Sequence, residues 1–265
     1  MPTVNDVNDY LFSIAPLEMK AGFDNVGFLV GCGEASVSKI LVSLDITNDV
    51  ISEALETGAS LIVSHHPMFF SLKSVTDTDT TGKKIVRMLT GGLSAICMHT
   101  NLDAARGGVN DELAIAVGII DSGEEAELLS ETVQPPSKDL YGRFGYLENP
   151  CKLSEYLEFL KNALNTDGMR YYDAGWEVYK VAIVGGSGGD EFDFAVKCGC
   201  DTFISADIKY HIFLEAKERG INLIDADHFC TENVVTRVLA SKLRAAFPGT
   251  EVNVSERHTQ TVRFF

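Results

Sequence analysis

Histidines stand at three places in the chain, each just past the end of a predicted strand, and a carboxylate accompanies them at two of these places. The three groups are His65-His66-Pro67, His99 to Asp103, and His228 to Glu232. The strands that precede them are Ser60–Ser64, Leu93–Met98 and Ile221–Ala226. Sites in open α/β sheets form outside the carboxyl ends of the strands. The repeated placement therefore predicts that these side chains serve a common site.

The adjacent pair His65-His66 favours two metal ions over one. Neighbouring residues of a strand point to opposite faces, so both imidazoles cannot occupy equivalent positions while the strand continues. Pro67 removes a ladder donor and biases the preceding residue to extended conformations, which indicates that the strand ends here. Beyond that end, the two rings could turn toward two neighbouring ions.

Two carboxylates stand four residues after a histidine, Asp103 after His99 and Glu232 after His228. On a helix, this spacing puts both side chains on one face. Glycines after Asp103 favour a loop there, and Thr231 is expected to cap a helix that starts at Glu232. Each acid also has a simpler interpretation, since Asp103 could cap a turn and Glu232 could complement the helix dipole.

Nitrogen and oxygen ligands without thiolate suit zinc, iron, manganese or nickel. The six cysteines form no CxxC pair and are expected to be buried, reduced thiols. Two ions about 3.5–4 Å apart that share a carboxylate and a water would lower the pKa of that water and activate it. The expected chemistry is hydrolysis, with a metal-bridging hydroxide as the nucleophile.

Strand and helix patterns alternate along the chain. Lys39–Leu44 reads as a buried strand, a polar turn and a helix ending at Gly58 follow, and Ser60–Ser64 is the next strand. A shift of 141 residues lays Lys39–Pro67 over Lys180–Ile208 and suggests an internal duplication. The sequence thus predicts two α/β domains, with mainly parallel or mixed sheets covered by helices and a dinuclear metal site between the halves.

The domains are predicted at residues 1–125 and 126–265, joined near residues 121 to 137. The last segment, 221–265, could pack back on the N-terminal half.

The acidic composition limits the partners and the compartment. The net charge is −16 and the pI is about 4.7, which disfavours nucleic acid and anionic membranes. The sequence shows no apolar run long enough to span a bilayer and no secretion signal at its start. A soluble, cytoplasmic protein is expected.

A glycine-rich stretch at Gly185–Gly189 leaves two interpretations open. Its backbone N–H groups could hold a phosphate at a helix start, or the segment could be a tight turn. It lacks the lysine of a P-loop and the spacing of a dinucleotide fingerprint.

With these motifs in view, the chain resembles the GTP cyclohydrolase 1 type 2 homologue family, also called the NGG-interacting-factor-like dinuclear metal-centre proteins. The stretches that carry the resemblance are Asp24-Asn25-Val26-Gly27, Ser64-His65-His66-Pro67, His99-Thr100-Asn101-Leu102-Asp103, Gly185-Gly186-Ser187-Gly188, Ala206-Asp207-Ile208-Lys209-Tyr210-His211 and His228-Phe229-Cys230-Thr231-Glu232. Asp227 and Ala206 stand where the family pattern leads us to expect glycine.

The resemblance implies two divalent ions per subunit and a toroidal homohexamer, arranged as a trimer of dimers, with the ions facing its cavity. The implied metal ligands are His65, His66, Asp103, His228 and Glu232. Among them, Glu232 is expected to bridge the ions. His99 is either a sixth ligand or a neighbour of the ligands.

The function expected from these residues is that of a metal-dependent hydrolase. His99 or His211 would orient the substrate or move protons, although His211 could equally be a local helix-start residue. The family name implies ring opening of GTP, while a phosphoester, nucleotide or cyclic amide would suit the same ions. The alternative is a non-enzymatic metal-binding, metallochaperone or adaptor protein that forms a ring. His258 is expected to be solvated in a polar tail.

Overall fold

The computed structural model describes residues 1–119, 127–128 and 142–265. These residues form two compact units, each containing one β-sheet. Unit 1 comprises Met1–Arg106 and Val235–Thr259, and unit 2 comprises Gly107–Val234 and Gln260–Phe265. The predicted α/β fold class is confirmed.

Over the described residues, the strands are β1 (Gly27–Val30), β2 (Lys39–Ser43), β3 (Leu61–Ser64), β4 (Ser94–Cys97), β5 (Glu127–Leu128), β6 (Arg143–Cys151), β7 (Arg170–Tyr172), β8 (Val178–Ile183), β9 (Thr202–Ser205), β10 (Asn222–Asp225) and β11 (Glu251–Val254). The α-helices in the same residues are α1 (Val4–Ile14), α2 (Asn48–Thr57), α3 (Thr80–Thr90), α4 (Thr100–Ala104), α5 (Val109–Ala116), α6 (Leu153–Ala163), α7 (Phe192–Lys197), α8 (Tyr210–Arg219), α9 (His228–Glu232) and α10 (Val234–Ala246). The described residues also form short 3₁₀ helices at Leu17–Met19 and Gly189–Glu191.

The sheet of unit 1 has the order β1-β4-β3-β2-β11. Strands β2, β3, β4 and β11 are parallel, and β1 runs antiparallel to β4 at one edge. The register pairs Ser43 with Ser64 and Ser64 with Cys97. Consequently, the residues that follow β2, β3 and β4 lie together at the carboxyl ends of the parallel strands.

The sheet of unit 2 has the order β5-β6-β8-β9-β10-β7. Its central strands β8, β9 and β10 are parallel, and β6 and β7 flank them in the antiparallel direction. Ser205 of β9 pairs with Asp225 of β10, so these strands also end together.

The two sheets share one strand pattern. The orders β1-β4-β3-β2 and β7-β10-β9-β8 are equivalent, and in each the first strand is the antiparallel one. The helix between β2 and β3 and the helix between β8 and β9 are both followed by a left-handed glycine, Gly58 with φ 75° and Gly199 with φ 68°. This agreement supports the internal duplication that the sequence suggests.

Local sequence explains where the helices of unit 1 begin. Thr3 accepts from the backbone N–H of Asp6, whose carboxylate accepts in return from the N–H of Thr3 and completes a capping box. The Thr47 hydroxyl accepts from the N–H of Val50 at the start of α2, as the polar turn in the sequence predicts.

The cores lie between each sheet and its helices. In unit 1, Leu41, Ile62 and Ala95 from neighbouring strands pack with α2 and α3. In unit 2, Val181, Ile204 and Ile224 occupy one buried cluster, whereas Ala182, Phe203 and Leu223 occupy another. Because successive strand residues alternate between these clusters, apolar residues cover both faces of the second sheet.

The predicted boundary at residue 125 lies outside the described ranges, and so does the predicted joining segment apart from residues 127 and 128. Within those ranges, the units are not consecutive halves of the chain. Residues 107–119 belong to unit 2, and Val235–Thr259 belongs to unit 1 because β11 pairs with β2. Among the described helices, none is long and apolar enough to cross a membrane.

Gly31 provides a test of the packing at the end of β1. It has φ 119°, and a Cβ atom there would lie 2.2 Å from the Ser94 Oγ atom and 2.7 Å from the Ser94 Cα atom. We expect Gly31→Ala to lower the free energy of unfolding by about 2–3 kcal/mol, measured by denaturant titration. Gly22→Ala is the control, because a Cβ at Gly22 meets nothing within 4 Å. Equal stability of the two variants would contradict the packing described here.

Candidate metal centre

Three imidazoles form a cluster at the sheet edge of unit 1. His65 and His66 follow β3, and His99 follows β4. Their ring centroids are 4.9 Å (His65–His66), 5.1 Å (His65–His99) and 5.4 Å (His66–His99) apart. One ligand nitrogen from each ring lies within 4.8 Å of those of the other two. The aligned strand ends thus bring together histidines that are 34 residues apart in sequence.

Asp103 adds a carboxylate to this cluster. Its Oδ1 atom lies 3.5 Å from the Nε2 atom of His65, and both residues are buried. Asp103 lies in α4, which starts directly after His99. The expectation of a loop at this position was wrong, because the turn from Thr100 closes into a short helix before the glycines at 107 and 108.

Each histidine of the cluster is held through its Nδ1 atom. That atom lies 2.9 Å from the Met98 carbonyl oxygen in His65, 2.8 Å from Asp45 Oδ1 in His66, and 2.9 Å from Asp24 Oδ1 in His99. A carbonyl oxygen and an ionised carboxylate can only accept, so Nδ1 carries the proton in each neutral ring. The Nε2 lone pair is then available as a metal ligand.

The two carboxylates that accept these bonds are ionised. Burial alone would raise the pKa of Asp24, but hydrogen bonds from His99 and Thr100 outweigh this effect and hold the pKa well below its usual range. In the same way, hydrogen bonds from His258 and His66 outweigh burial and hold the pKa of Asp45 well below normal. Both groups are therefore suited to accept hydrogen bonds from imidazole.

A second imidazole–carboxylate pair occupies the sheet edge of unit 2. His228 and Glu232 belong to α9, and their Nε2 and Oε2 atoms lie 3.0 Å apart. The Nδ1 atom of His228 lies 2.7 Å from Asp207 Oδ2. The four-residue spacing thus produces the shared helix face that the sequence predicts, and with the proton on Nδ1 the Nε2 atom beside Glu232 could serve as a metal ligand.

The N-terminus of α9 differs from the expectation. The cap is Asp227, whose carboxylate accepts from the backbone N–H of Cys230, and a separate helix α10 starts at Val234. The expected Thr231 cap was wrong, because the Thr231 hydroxyl donates instead to the carbonyl oxygens of Asp227 and His228. His228 therefore lies inside the helix and not before it.

The glycine-rich stretch packs directly against Glu232. Gly186 has φ 64°, and a Cβ atom there would lie 2.0 Å from Glu232 Oε1 and 3.2 Å from His228 Nε2. Three N–H groups of this stretch donate within unit 2, those of Gly185 to Asn110, Gly186 to Thr231 and Gly188 to Ser205. These contacts favour the tight turn over the phosphate site.

The two departures from the family pattern have different consequences. Asp227 has φ 75° and ψ 134°, a conformation that favours glycine and explains why glycine is expected there. Ala206 does not have a positive φ, but the next residue, Asp207, has φ 50°. Asp tolerates this left-handed region better than most residues.

Two further histidines, His211 and His258, lie outside the proposed ligand set. His211 is exposed in the first turn of α8, and its catalytic role remains a prediction. The expectation that His258 is solvated was wrong. Its side chain is only 9% exposed, because its Nε2 atom lies 2.9 Å from Asp45 Oδ2 in unit 1.

The cysteines do not compete with these ligands. The six cysteines all lie in the described ranges and form no disulfide bond, and Cys97, Cys200 and Cys230 are buried. Burial raises the pKa of Cys97 well above its usual value, and its thiol donates to the His65 carbonyl oxygen at 3.0 Å. Cys97 is thus a neutral thiol beside the cluster, as the sequence suggests.

The donors present fit divalent metal ions. Imidazole nitrogens and carboxylate oxygens are the ligands of zinc, iron, manganese and nickel sites. Hydrogen bonds from the opposite ring nitrogen to carboxylate or carbonyl are also the usual support of metal-binding histidines. The described residues therefore define an α/β protein with buried and half-buried histidines and acids that could hold metal ions.

Comparison with known proteins agrees with this class. The chain belongs to the Duf34/NIF3 (NGG1p interacting factor 3) family, whose model matches residues 2–261. It is 36% identical to the GTP cyclohydrolase 1 type 2 homolog of Clostridium perfringens over 243 residues, 91% of each chain. The corresponding homolog of Clostridium acetobutylicum is 33% identical over 267 residues, 98% of each chain.

Solved structures share the fold over the whole chain. A Staphylococcus aureus hypothetical protein has a TM-score of 0.87 and 28% identity, covering 99% of both chains. A Bacillus cereus protein related to NIF3 has a TM-score of 0.88 at 22% identity, covering 100% of this chain and 99% of that one, and shows the likeness of fold alone.

Sequence reasoning missed the acids that orient the histidines. The sequence alone indicates only turn residues or parts of motifs at Asp24, Asp45 and Asp207. A usable signal existed for Asp45, which follows the predicted strand Lys39–Leu44, and for Asp207, which the 141-residue shift lays over His66. No such signal existed for Asp24, which precedes its strand.

Gly186 provides a test of the position of Glu232. We expect Gly186→Ala to displace the Glu232 carboxylate and to reduce bound metal by at least half, measured by elemental analysis of purified protein. Gly199→Ala is the matched control, because Gly199 has φ 68° but a Cβ there meets nothing within 4 Å. It carries the same backbone strain, so metal loss in both variants would show that strain and not Glu232 is responsible.

Proposed function

We propose that the chain binds two divalent metal ions and acts as a metal-dependent hydrolase. The observation that carries the proposal is the shared orientation of four histidines, His65, His66, His99 and His228, each held through Nδ1. The proposed ligands are His65, His66, Asp103, His228 and Glu232. Such a pattern serves metal binding better than core packing, because it directs the Nε2 lone pairs to ligand positions.

In this proposal the ions, the acids and the histidines have separate roles. Divalent ions, when bound, would supply Lewis-acid polarisation and would lower the pKa of a water molecule, the source of the hydroxide nucleophile expected from the sequence. Asp24 and Asp45 keep His99 and His66 in one tautomer. His99 could move a proton or serve as a further ligand, and exposed His211 could contact substrate.

Two exposed aromatic side chains near His99 favour a substrate with a planar group. The ring of Phe70 lies 6.0 Å from that of His99, and Phe23 lies 6.1 Å from Phe70. Phe23 is 71% exposed and Phe70 is 55% exposed. Nucleotides are therefore the first candidates, in keeping with the name of the relatives, and phosphoesters and cyclic amides are the next.

A non-enzymatic role is the second candidate. The family description refers to an interacting factor, and a metallochaperone or adaptor would use the same ions without turnover. Both candidates require the metal centre, and they differ only in catalysis.

Turnover distinguishes the two functions. We expect protein loaded with about two ions per chain to hydrolyse at least one member of a panel of nucleotides and phosphoesters. Glu232→Gln removes a charged ligand and should lower kcat by about 100-fold or more, with the fold intact by circular dichroism. Metal binding without any turnover would support the adaptor or metallochaperone.

A matched acid separates this effect from a general loss of charge. Glu218 lies exposed in α8, and Glu218→Gln removes the same charge in the same unit. We expect it to retain both metal and activity. Equal losses in the two variants would contradict a specific role of Glu232.

The proposed assembly is a toroidal homohexamer, a trimer of dimers, in the cytoplasm. Its support is the resemblance to the family. Sedimentation equilibrium at micromolar concentration should give about six times the subunit mass of 28.9 kDa. A mass near that of one chain would contradict the ring.

A further inference from the structure

His258 lies in the segment of unit 1 that follows β11, near the carboxyl ends of the parallel strands. Its Nε2 atom lies 2.9 Å from Asp45 Oδ2, and 213 residues separate the two in sequence. The side chain of His258 is 9% exposed, whereas that of Asp45 is 41% exposed. A largely buried imidazole thus holds a carboxylate that would otherwise be free to turn toward solvent.

The second oxygen of Asp45 contacts a proposed metal ligand. Asp45 Oδ1 lies 2.8 Å from the Nδ1 atom of His66. One carboxylate therefore accepts from two imidazoles, and a rotation that breaks one contact also moves the other oxygen.

The segment that carries His258 is fixed to unit 1 by its own contacts. The backbone N–H of Ser255 donates to the Val42 carbonyl oxygen at 2.8 Å. Buried Glu53 accepts from the N–H groups of Glu256 at 2.9 Å and Arg257 at 3.2 Å, and also from the Ser255 hydroxyl. The position of the imidazole is thus set by contacts that do not include His66.

We propose that His258 is a positioning residue for the metal centre, which holds Asp45 in the orientation that directs His66 Nε2 toward a metal ion. This inference rests on the proposed metal centre. Carboxylates commonly orient metal-binding histidines, and here a second histidine would hold the carboxylate in turn. The C-terminal segment would then contribute to metal affinity without contacting the ion.

The test uses the full-length chain loaded with Co²⁺, whose visible absorption reports the coordination. We expect His258→Ala to weaken Co²⁺ binding by about 3–10-fold, measured by competition with a chelator, and to alter the absorption spectrum. His258→Gln places an amide Nε2 donor at a similar reach and should restore most of the affinity. Thr259→Ala changes an exposed neighbour in the same segment and should leave binding unchanged.

A double-mutant cycle checks that the effect passes through Asp45. In an Asp45→Asn background, His258→Ala should change Co²⁺ affinity by less than about 2-fold, because the contact it removes is already altered. If His258→Ala fails to fold, His258→Asn gives the same test, since its shorter amide keeps a polar side chain but does not reach Asp45.

The outcomes separate this inference from the proposal on which it depends. Wild-type affinity and spectrum in His258→Ala would overturn the positioning role and leave the metal centre intact. A full additional loss in the Asp45→Asn background would also overturn it, because His258 would then act by another route. A wild-type chain that binds no Co²⁺ would overturn both proposals.

Discussion

A neutral imidazole carries one proton, and the acceptor that holds that proton decides which nitrogen can bind a metal ion. In this chain the acceptors for His65, His66, His99 and His228 all lie on the Nδ1 side. This constraint explains why carboxylates that are not proposed as ligands lie beside three of these four histidines. Without those acceptors, each ring could take either tautomer or rotate, and the ligand geometry would be lost.

The sheets supply the acceptors through the direction of their strands. Asp45 follows β2 and Met98 follows β4, so both leave the sheet where the parallel strands end. Asp24 lies at the same end of the strands although it precedes its strand instead of following it. It comes before the antiparallel strand β1, whose first residue, Gly27, pairs with Cys97 at the end of β4. Because β1 is antiparallel, the residues before it lie at the carboxyl ends of the parallel strands. In a purely parallel sheet, an acid that precedes its strand would lie at the opposite end of the strands.

The strand ends and the histidines could be predicted from the sequence because each signal is local. The run of apolar residues before His65 and the helical spacing of His228 and Glu232 both operate within a few residues. The contacts of His258 with Asp45 and of Glu53 with Ser255 could not be predicted this way, since more than 200 residues separate the partners. A polar segment near the end of a chain is expected to be solvated. Only the tertiary structure shows that hydrogen bonds to Glu53 fix this segment to unit 1.

Backbone strain is concentrated beside His228 and Glu232, the proposed ligand pair of unit 2. Among the described residues with a side chain, positive φ occurs at Asn165, Asp207 and Asp227, and the last two contact or precede His228. Each such conformation costs on the order of 1–3 kcal/mol and persists only where other contacts hold it. At Asp227 those contacts are the N–H of Cys230 and the amide of Gln260, which both donate to its carboxylate.

The use of aspartate at these two positions resolves a conflict between backbone and side chain. Glycine would adopt either conformation without strain, but it could neither accept from His228 Nδ1 nor cap α9. Aspartate tolerates the left-handed region at Asp207 and supplies the acceptor for the imidazole. At Asp227 the cap stabilises the first turn of α9, the same turn that carries His228. The strain is therefore offset by contacts that also fix His228 relative to Glu232, and the departure from glycine at Asp227 is compatible with the proposed ligand geometry.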